Sequence, residues 1–200
     1  DEVRILIEVD GHGQRTRGEM FAVDRLGDAV VRLYERYAEL FPDGPERGRA
    51  AATARSVAMV LGPFDPEGWA TSYALDIEWI DHRILGTWAA RGAEAMLQHW
   101  RSALELADDV TIREDDILGL QSDAFLGRRT HLGTDRASGG ACERPYLLYW
   151  AVGSDGLVTR WELFDPDREA EALARFDELA AEVPRPIHSM ILRGCARCSR

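Results

Sequence analysis

Apolar and polar positions along the chain alternate with two periods, one suited to strands and one to helices. Ile5, Ile7 and Val9 occupy every second position, the chain turns back over residues 9–16, and a helix is expected from Asp24 to about Leu40. Residues 46–61 are rich in Ala and Arg and lack an internal Pro, so they read as a helix that Gly62-Pro63-Phe64-Asp65-Pro66 ends. A short helix is expected over residues 66–73, starting at an Asp cap, and a strand over residues 77–82. Met96, Leu97, Trp100 and Leu104 lie near helical spacing within residues 93–106. Strands follow at residues 110–121 and 124–132, then a polar Gly-rich loop at residues 133–142. Residues 146–152 and 157–164 flank Gly153-Ser154-Asp155-Gly156, a hairpin signature, and residues 167–182 read as a closing amphipathic helix. This order predicts an α+β fold, a cone-shaped curved antiparallel sheet with helices packed on one face.

Part of the pattern occurs twice. Residues 9–39 align with residues 152–182 without a gap, at an offset of 143. Thirteen positions are identical, among them Gly13/Gly156, Thr16/Thr159, Arg17/Arg160, Glu19/Glu162, Phe21/Phe164, Arg25/Arg168 and Arg32/Arg175. Residues 1–45 are therefore expected to be the closing hairpin and helix of a preceding domain copy plus a linker, Phe41-Pro42-Asp43-Gly44-Pro45. Such a hairpin buries little alone and is expected to dock, by extending the sheet of the complete domain or by covering a neighbour's. Residues 46–183 form the complete domain, and residues 184–200 a C-terminal tail.

Composition narrows the partners. Of 200 residues, 46% are hydrophobic and 30% charged, enough for a sizeable core, and all six Trp lie within residues 69–161. The net charge of −11 repels a duplex or an anionic bilayer, so neither nucleic acid nor membrane is an expected partner. No apolar run is long enough to span a bilayer, and residues 1–4 carry no signal-peptide pattern. Cys142, Cys195 and Cys198 make no disulfide framework, which fits a reducing cytoplasm. Cys195-Ala196-Arg197-Cys198 lacks the second pair that zinc needs, so no metal is expected, and no phosphate-binding Gly loop or Ser-centred nucleophile motif points to a cofactor.

Three stretches carry a resemblance: Tyr73-Ala74-Leu75-Asp76-Ile77-Glu78-Trp79-Ile80-Asp81, the Arg91-Gly92 that opens a helix, and residues 156–165, from Gly156 to Asp165. Their order and spacing resemble the SnoaL-like branch of the nuclear transport factor 2-like superfamily over about residues 50–182. Within it the chain is similar to limonene epoxide hydrolase-like and ketosteroid isomerase-like members, and more so to SnoaL-like modules of actinobacterial regulatory proteins. The resemblance implies a cone enclosing a small-molecule pocket, no cofactor, and a homodimer.

It also implies site residues. Asp81 stands where isomerase-like members place a general base, and strand alternation sets Trp79 on the same face. Arg129 and His131 match a strand on which epoxide hydrolase-like members carry Arg and Asp, with His here in place of the Asp. Asp165 stands near the point where those members place a water-activating Asp. Glu162, of opposite parity and matched by Glu19, reads as structural, pairing with Arg160. Leu148 occupies the position where a steroid isomerase needs an acid, which argues against that activity. Leu148, Trp150, Trp161 and Leu163 would wall the pocket.

Two functions follow as expectations. One is a cofactor-free acid/base enzyme acting on a small apolar molecule, a hydrolase of an epoxide or ester-like bond or an isomerase or cyclase, with Asp81 as base, His131 as its partner and Arg129 stabilising charge. The other is a non-catalytic ligand-binding or dimerisation module of a larger regulatory protein.

Overall fold

The computed structural model describes residues 3–86, 89–181 and 190–195. The chain starts with an antiparallel hairpin, β1 (Val3–Val9) and β2 (Arg15–Ala22), followed by α1 (Leu26–Glu39). Leu26, Ala29, Val30, Leu33, Tyr34 and Ala38 recur at helical spacing, and all are buried. α2 (Pro45–Val60) begins with Pro, whose missing N–H costs nothing in the first turn. α3 (Pro66–Ala70) is capped by Asp65, which accepts from the Gly68 N–H at 3.1 Å. Then come β3 (Tyr73–Asp81), β4 (Ala90–Arg91) and α4 (Ala93–Leu106), which buries Met96, Leu97 and Trp100. Four strands follow: β5 (Ala107–Leu120), β6 (Ala124–Asp135), β7 (Ala141–Val152) and β8 (Val158–Phe164). α5 (Glu169–Ala181) and β9 (Met190–Cys195) complete the order.

The main sheet has six strands in the order β4-β3-β8-β7-β6-β5. Three register shifts along β5 bend the β5–β6 ribbon, as bulges do, and help curl the sheet into the expected α+β cone. One pair departs from the antiparallel expectation: β3 runs parallel to β8. A parallel neighbour requires a long crossover, and here it runs through α4 and four strands, β4 to β7. A second refinement concerns the helices. α1 to α4 contribute to the core on the concave face, whereas α5 packs Ala172 and Phe176 onto the opposite face, against Leu126, Leu147, Tyr149 and Phe164. β7 is thus buried on both faces, which is why residues 146–150 read Tyr-Leu-Leu-Tyr-Trp rather than alternating with polar residues.

The N-terminal hairpin does not extend this sheet, one of the two forms of docking expected for it. It pairs with β9, making a separate three-stranded sheet in the order β2-β1-β9. α1 joins the two layers. It packs against this small sheet, where Leu6 is buried, and against α2 and the body of the cone. The Tyr34 hydroxyl donates to the Gln121 carbonyl at 2.6 Å, and its ring lies 6.3 Å from Trp150. Of the tail expected at residues 184–200, only the β9 backbone is described. His188, Cys198 and the Cys195 side chain lie outside the described residues.

Candidate functional site

Strand register sorts the concave face into three rows. Phe125, Trp150, Trp161 and Trp79 are successive partners across β6, β7, β8 and β3. Their rings stack in pairs, Phe125 on Trp150 at 5.4 Å and Trp79 on Trp161 at 5.9 Å. The next row is Gly127, Leu148, Leu163 and Asp81. The third is Glu114, Arg129 and Tyr146, across β5, β6 and β7. The surface grades from aromatic through aliphatic to ionised; Trp79, Asp81, Arg129, Leu148, Trp150, Trp161 and Leu163 lie in these rows, His131 follows Arg129 by two residues on β6, and Asp165 lies outside them. Trp69 and Trp100 reach in from α3 and α4, and Trp100 lies 5.8 Å from His131.

The polar end is closely bonded. Asp81 accepts from Arg83 through both oxygens, Nε to Oδ1 at 2.8 Å and Nη2 to Oδ2 at 2.7 Å, and takes the Arg83 backbone N–H at 3.1 Å. Arg129 is fully buried in an ion pair with Glu114, places its guanidinium 5.9 Å from the Trp161 ring, and donates to the Val60 carbonyl at 3.3 Å. Burial pushes the Glu114 carboxyl above its ordinary range, while the Arg129 charge pulls it back. His131 bonds to Tyr146 across the β6–β7 pair, Nε2 to hydroxyl at 2.7 Å. Burial, and then the charges of Arg129, Arg83 and Arg144, depress His131 to about 3, so its ring is neutral. His99 is also lowered, by burial and by Arg83.

Asp165 sits beyond the last inward residue of β8 and accepts the Ile84 backbone N–H at 2.8 Å, tying down the loop after β3. Glu162 points to the opposite face. Burial alone would raise its carboxyl, but hydrogen bonds from Arg175, His82 and Arg160 hold it below the ordinary range. Its pairing with Arg160 is the structural role expected.

Three further residues belong to this end: Glu114, Tyr146 and His99. On helical spacing alone His99 reads as a helix-surface residue, yet its ring is 5.1 Å from Trp79 and 5.4 Å from Trp100. The usable signal was positional, since it follows Met96 by three residues and so flanks the buried stripe of α4.

The depressed His131 makes a pH prediction. In the unfolded chain its pKa returns to about 6.5. A folded pKa below that value stabilises the fold fully above pH 6.5, and the contribution is lost as pH falls towards 3. Urea midpoints of wild type and His131→Gln should therefore converge between pH 7 and pH 4.5, by about 2 kcal/mol. A gap between the two proteins that stays constant with pH would contradict the neutral, buried imidazole.

The concave face is filled by these side chains rather than left open: Trp69, Trp150, Trp161, Leu148 and Arg129 are 0% exposed. The indole N–H groups of Trp69, Trp150 and Trp161, and Nη1 of Arg129, are buried without a hydrogen-bond partner among the described residues. A cavity of about 640 Å³ lies elsewhere, lined by Tyr37 and Phe41 of α1's end, Arg49 and Thr53 of α2, and the β7–β8 turn.

No family model matches the chain, and no curated protein matches it. Solved structures do. A nuclear transport factor 2-like protein of Burkholderia thailandensis is 22% identical, over 70% of this chain and 96% of that one, with a TM-score of 0.44. A protein of ketosteroid isomerase-like fold from Catenulispora acidiphila, solved with trimethylamine, is 16% identical over 56% and 81%, at 0.44. The epoxide hydrolase/cyclase-like enzyme SalBIII of salinomycin pyran-ring formation is 10% identical over 70% and 90%, at 0.43. The solved structures that match thus include nuclear transport factor 2-like, ketosteroid isomerase-like and epoxide hydrolase/cyclase-like proteins.

Proposed function

We propose that the chain binds a small, largely apolar molecule at the polar end of the cone and holds it without turning it over, as a module of a larger regulatory protein, with a homodimer as its expected assembly. The observation that carries this reading is that Asp81, Asp165 and His131, the groups expected to move a proton, are each hydrogen-bonded within the protein. Arg83 holds both oxygens of Asp81, the Ile84 N–H takes Asp165, and Tyr146 takes His131. The Asp81 side chain is moreover only 3% exposed, so a substrate meets it only if Arg83 moves aside. What remains exposed at this end is the Arg83 guanidinium, whose side chain is 35% exposed, beside the apolar rows of Trp79, Leu148, Trp150, Trp161 and Leu163. That set suits an apolar body ending in a carbonyl or carboxylate.

An acid/base hydrolase or isomerase is the second reading. The shared concave placement of Asp81 and His131 favours it, and it requires Arg83 to release Asp81. No cofactor enters either reading. Native mass spectrometry of the purified full chain separates them. A bound small molecule is expected to leave unchanged when the chain is denatured. Arg83→Gln should reduce its retention about tenfold or more, the worth of a charge-assisted hydrogen bond. Conversion of that molecule by wild type, abolished by Asp81→Asn, would establish the enzyme instead.

A further inference from the structure

The hairpin and helix at the N-terminus reproduce the turn, the strand bond and the ion-pair chain at the end of the complete unit. In each hairpin a left-handed Gly closes the turn, Gly13 at φ 76° and Gly156 at φ 83°. Gly13 N–H donates to the Asp10 carbonyl at 2.9 Å, and Gly156 N–H to the Gly153 carbonyl at 3.0 Å. Thr16 and Thr159 each return a hydroxyl to the facing strand, at Glu8 and Ala151. Glu19 is held by Arg17 at 2.9 Å and Arg32 at 3.1 Å, and Glu162 by Arg160 and Arg175 at the same two distances. Arg32 and Arg175 go on to Glu35 and Glu178. The offset is 143 throughout, so the match of sequence is also a match of structure.

The copies differ at one edge. In the complete unit β3 pairs with the free side of β8 in parallel, with Glu78 opposite Arg160, and Glu78 takes Arg160 Nη2 at 2.7 Å. In the N-terminal copy the corresponding side of β2 has no strand among the described residues, where β2 is the end of its sheet. Among the described residues Arg17 therefore lacks the counterpart of Glu78 that Arg160 has, and its side chain is 49% exposed against 27% for Arg160. The face beside that edge is open too. Met20 is 75% exposed, whereas its counterpart Leu163 is 4% exposed; Ile5 and Ile7 are half-buried, whereas their counterparts Leu148 and Trp150 are 0% exposed. In the complete unit the helices around β3 cover that face.

We infer that the edge of β2 is a docking site for a parallel strand of the β3 type, supplied by a further copy of the same domain unit, with a carboxylate set opposite Arg17. One occupant then satisfies three unmet features at once: the unpaired strand edge, the exposed guanidinium and the uncovered apolar face. An edge pairing with a second copy of β2 satisfies the first two and leaves Ile5, Ile7 and Met20 uncovered.

The test extends the full chain at its N-terminus with the sequence of residues 71–82 on a Gly/Ser linker, which makes docking intramolecular at high effective concentration. Hydrogen exchange of the β2 amides is compared with a chain carrying a scrambled insert. The β3 insert should slow the outward β2 amides by about tenfold or more. Replacing the insert's Glu by Lys should remove that protection, and Arg17→Glu in the same chain should restore it. Equal exchange with native and scrambled inserts would overturn the inference. So would protection that appears with either insert and grows with protein concentration, because that outcome assigns the edge to a second copy of the chain.

Discussion

Arg129→Ala is expected to destabilise the fold by about 3–5 kcal/mol, a large fraction of the stability of a small domain. Arg129 is 0% exposed, and its ion-pair partner Glu114 keeps only 6% of its side chain in solvent. Truncating the guanidinium strands a carboxyl that burial already disfavours, and removes a cation beside the Trp161 ring. Taking out both charges has a different expected outcome. Glu114→Leu with Arg129→Met replaces a desolvated pair by apolar groups of similar volume, and the double variant should be as stable as wild type or more so. Chemical denaturation of the single and double variants measures both. A single variant within about 1 kcal/mol of wild type would show that water already reaches the pair.

Gly156→Ala is the second large effect, and the internal repeat supplies its control. Gly156 adopts φ 83°, where a side chain is strained. A Cβ there would also meet Ala52, 2.8 Å from its carbonyl carbon, and the Thr53 nitrogen at 2.9 Å. α2 cannot retreat easily, since the Ser56 hydroxyl donates to the Gly156 carbonyl at 2.6 Å. Gly13 has nearly the same φ, 76°, with nothing within 4 Å of a Cβ. Gly13→Ala should cost roughly 1 kcal/mol, the left-handed strain alone, and Gly156→Ala roughly 3 kcal/mol, strain and overpacking together. Equal thermal shifts would mean that α2 does not press on the turn.

Those two positions also show what the sequence made legible and what it did not. The aromatic and aliphatic rows followed from the two-residue period of β3, β7 and β8: once Trp79 is inward, so is Asp81, and once Trp161 is inward, so is Leu163. Arg129 and His131 shared a face for the same reason. Glu114 escaped because the register shift between Glu114 and Asp116 resets the alternation on β5, so counting by twos from the acidic run fails there. Tyr146 escaped for a different reason. Its place opposite Arg129 depends on how residues 133–142 are used, and these read as a loop although β6 runs to Asp135 and β7 restarts at Ala141. The engagement of Asp81 by Arg83 was a bond between near neighbours, visible as a possibility in Asp81-His82-Arg83 but settled only by the turn after β3. The start of β3 at Tyr73 was hidden by an irregular stretch between Tyr73 and Glu78. The parallel β3–β8 pair has no local signature at all.

The pairing of β1 with β9 sets an order of events in time. Hairpin β1–β2 and helix α1 close over short spans of chain, whereas Leu6 meets Leu192 only after α2 to α5 and β3 to β8 have been made. Contacts so far apart in sequence are slow to form, because the entropy of closing the loop is lost before the contact returns anything. During synthesis the small sheet exists first as a two-stranded ribbon, open on both sides, and β9 seals one side last. The three-stranded sheet is therefore a late clasp rather than a nucleus, and changes in β9 should act on how fast the chain unfolds more than on how fast it folds.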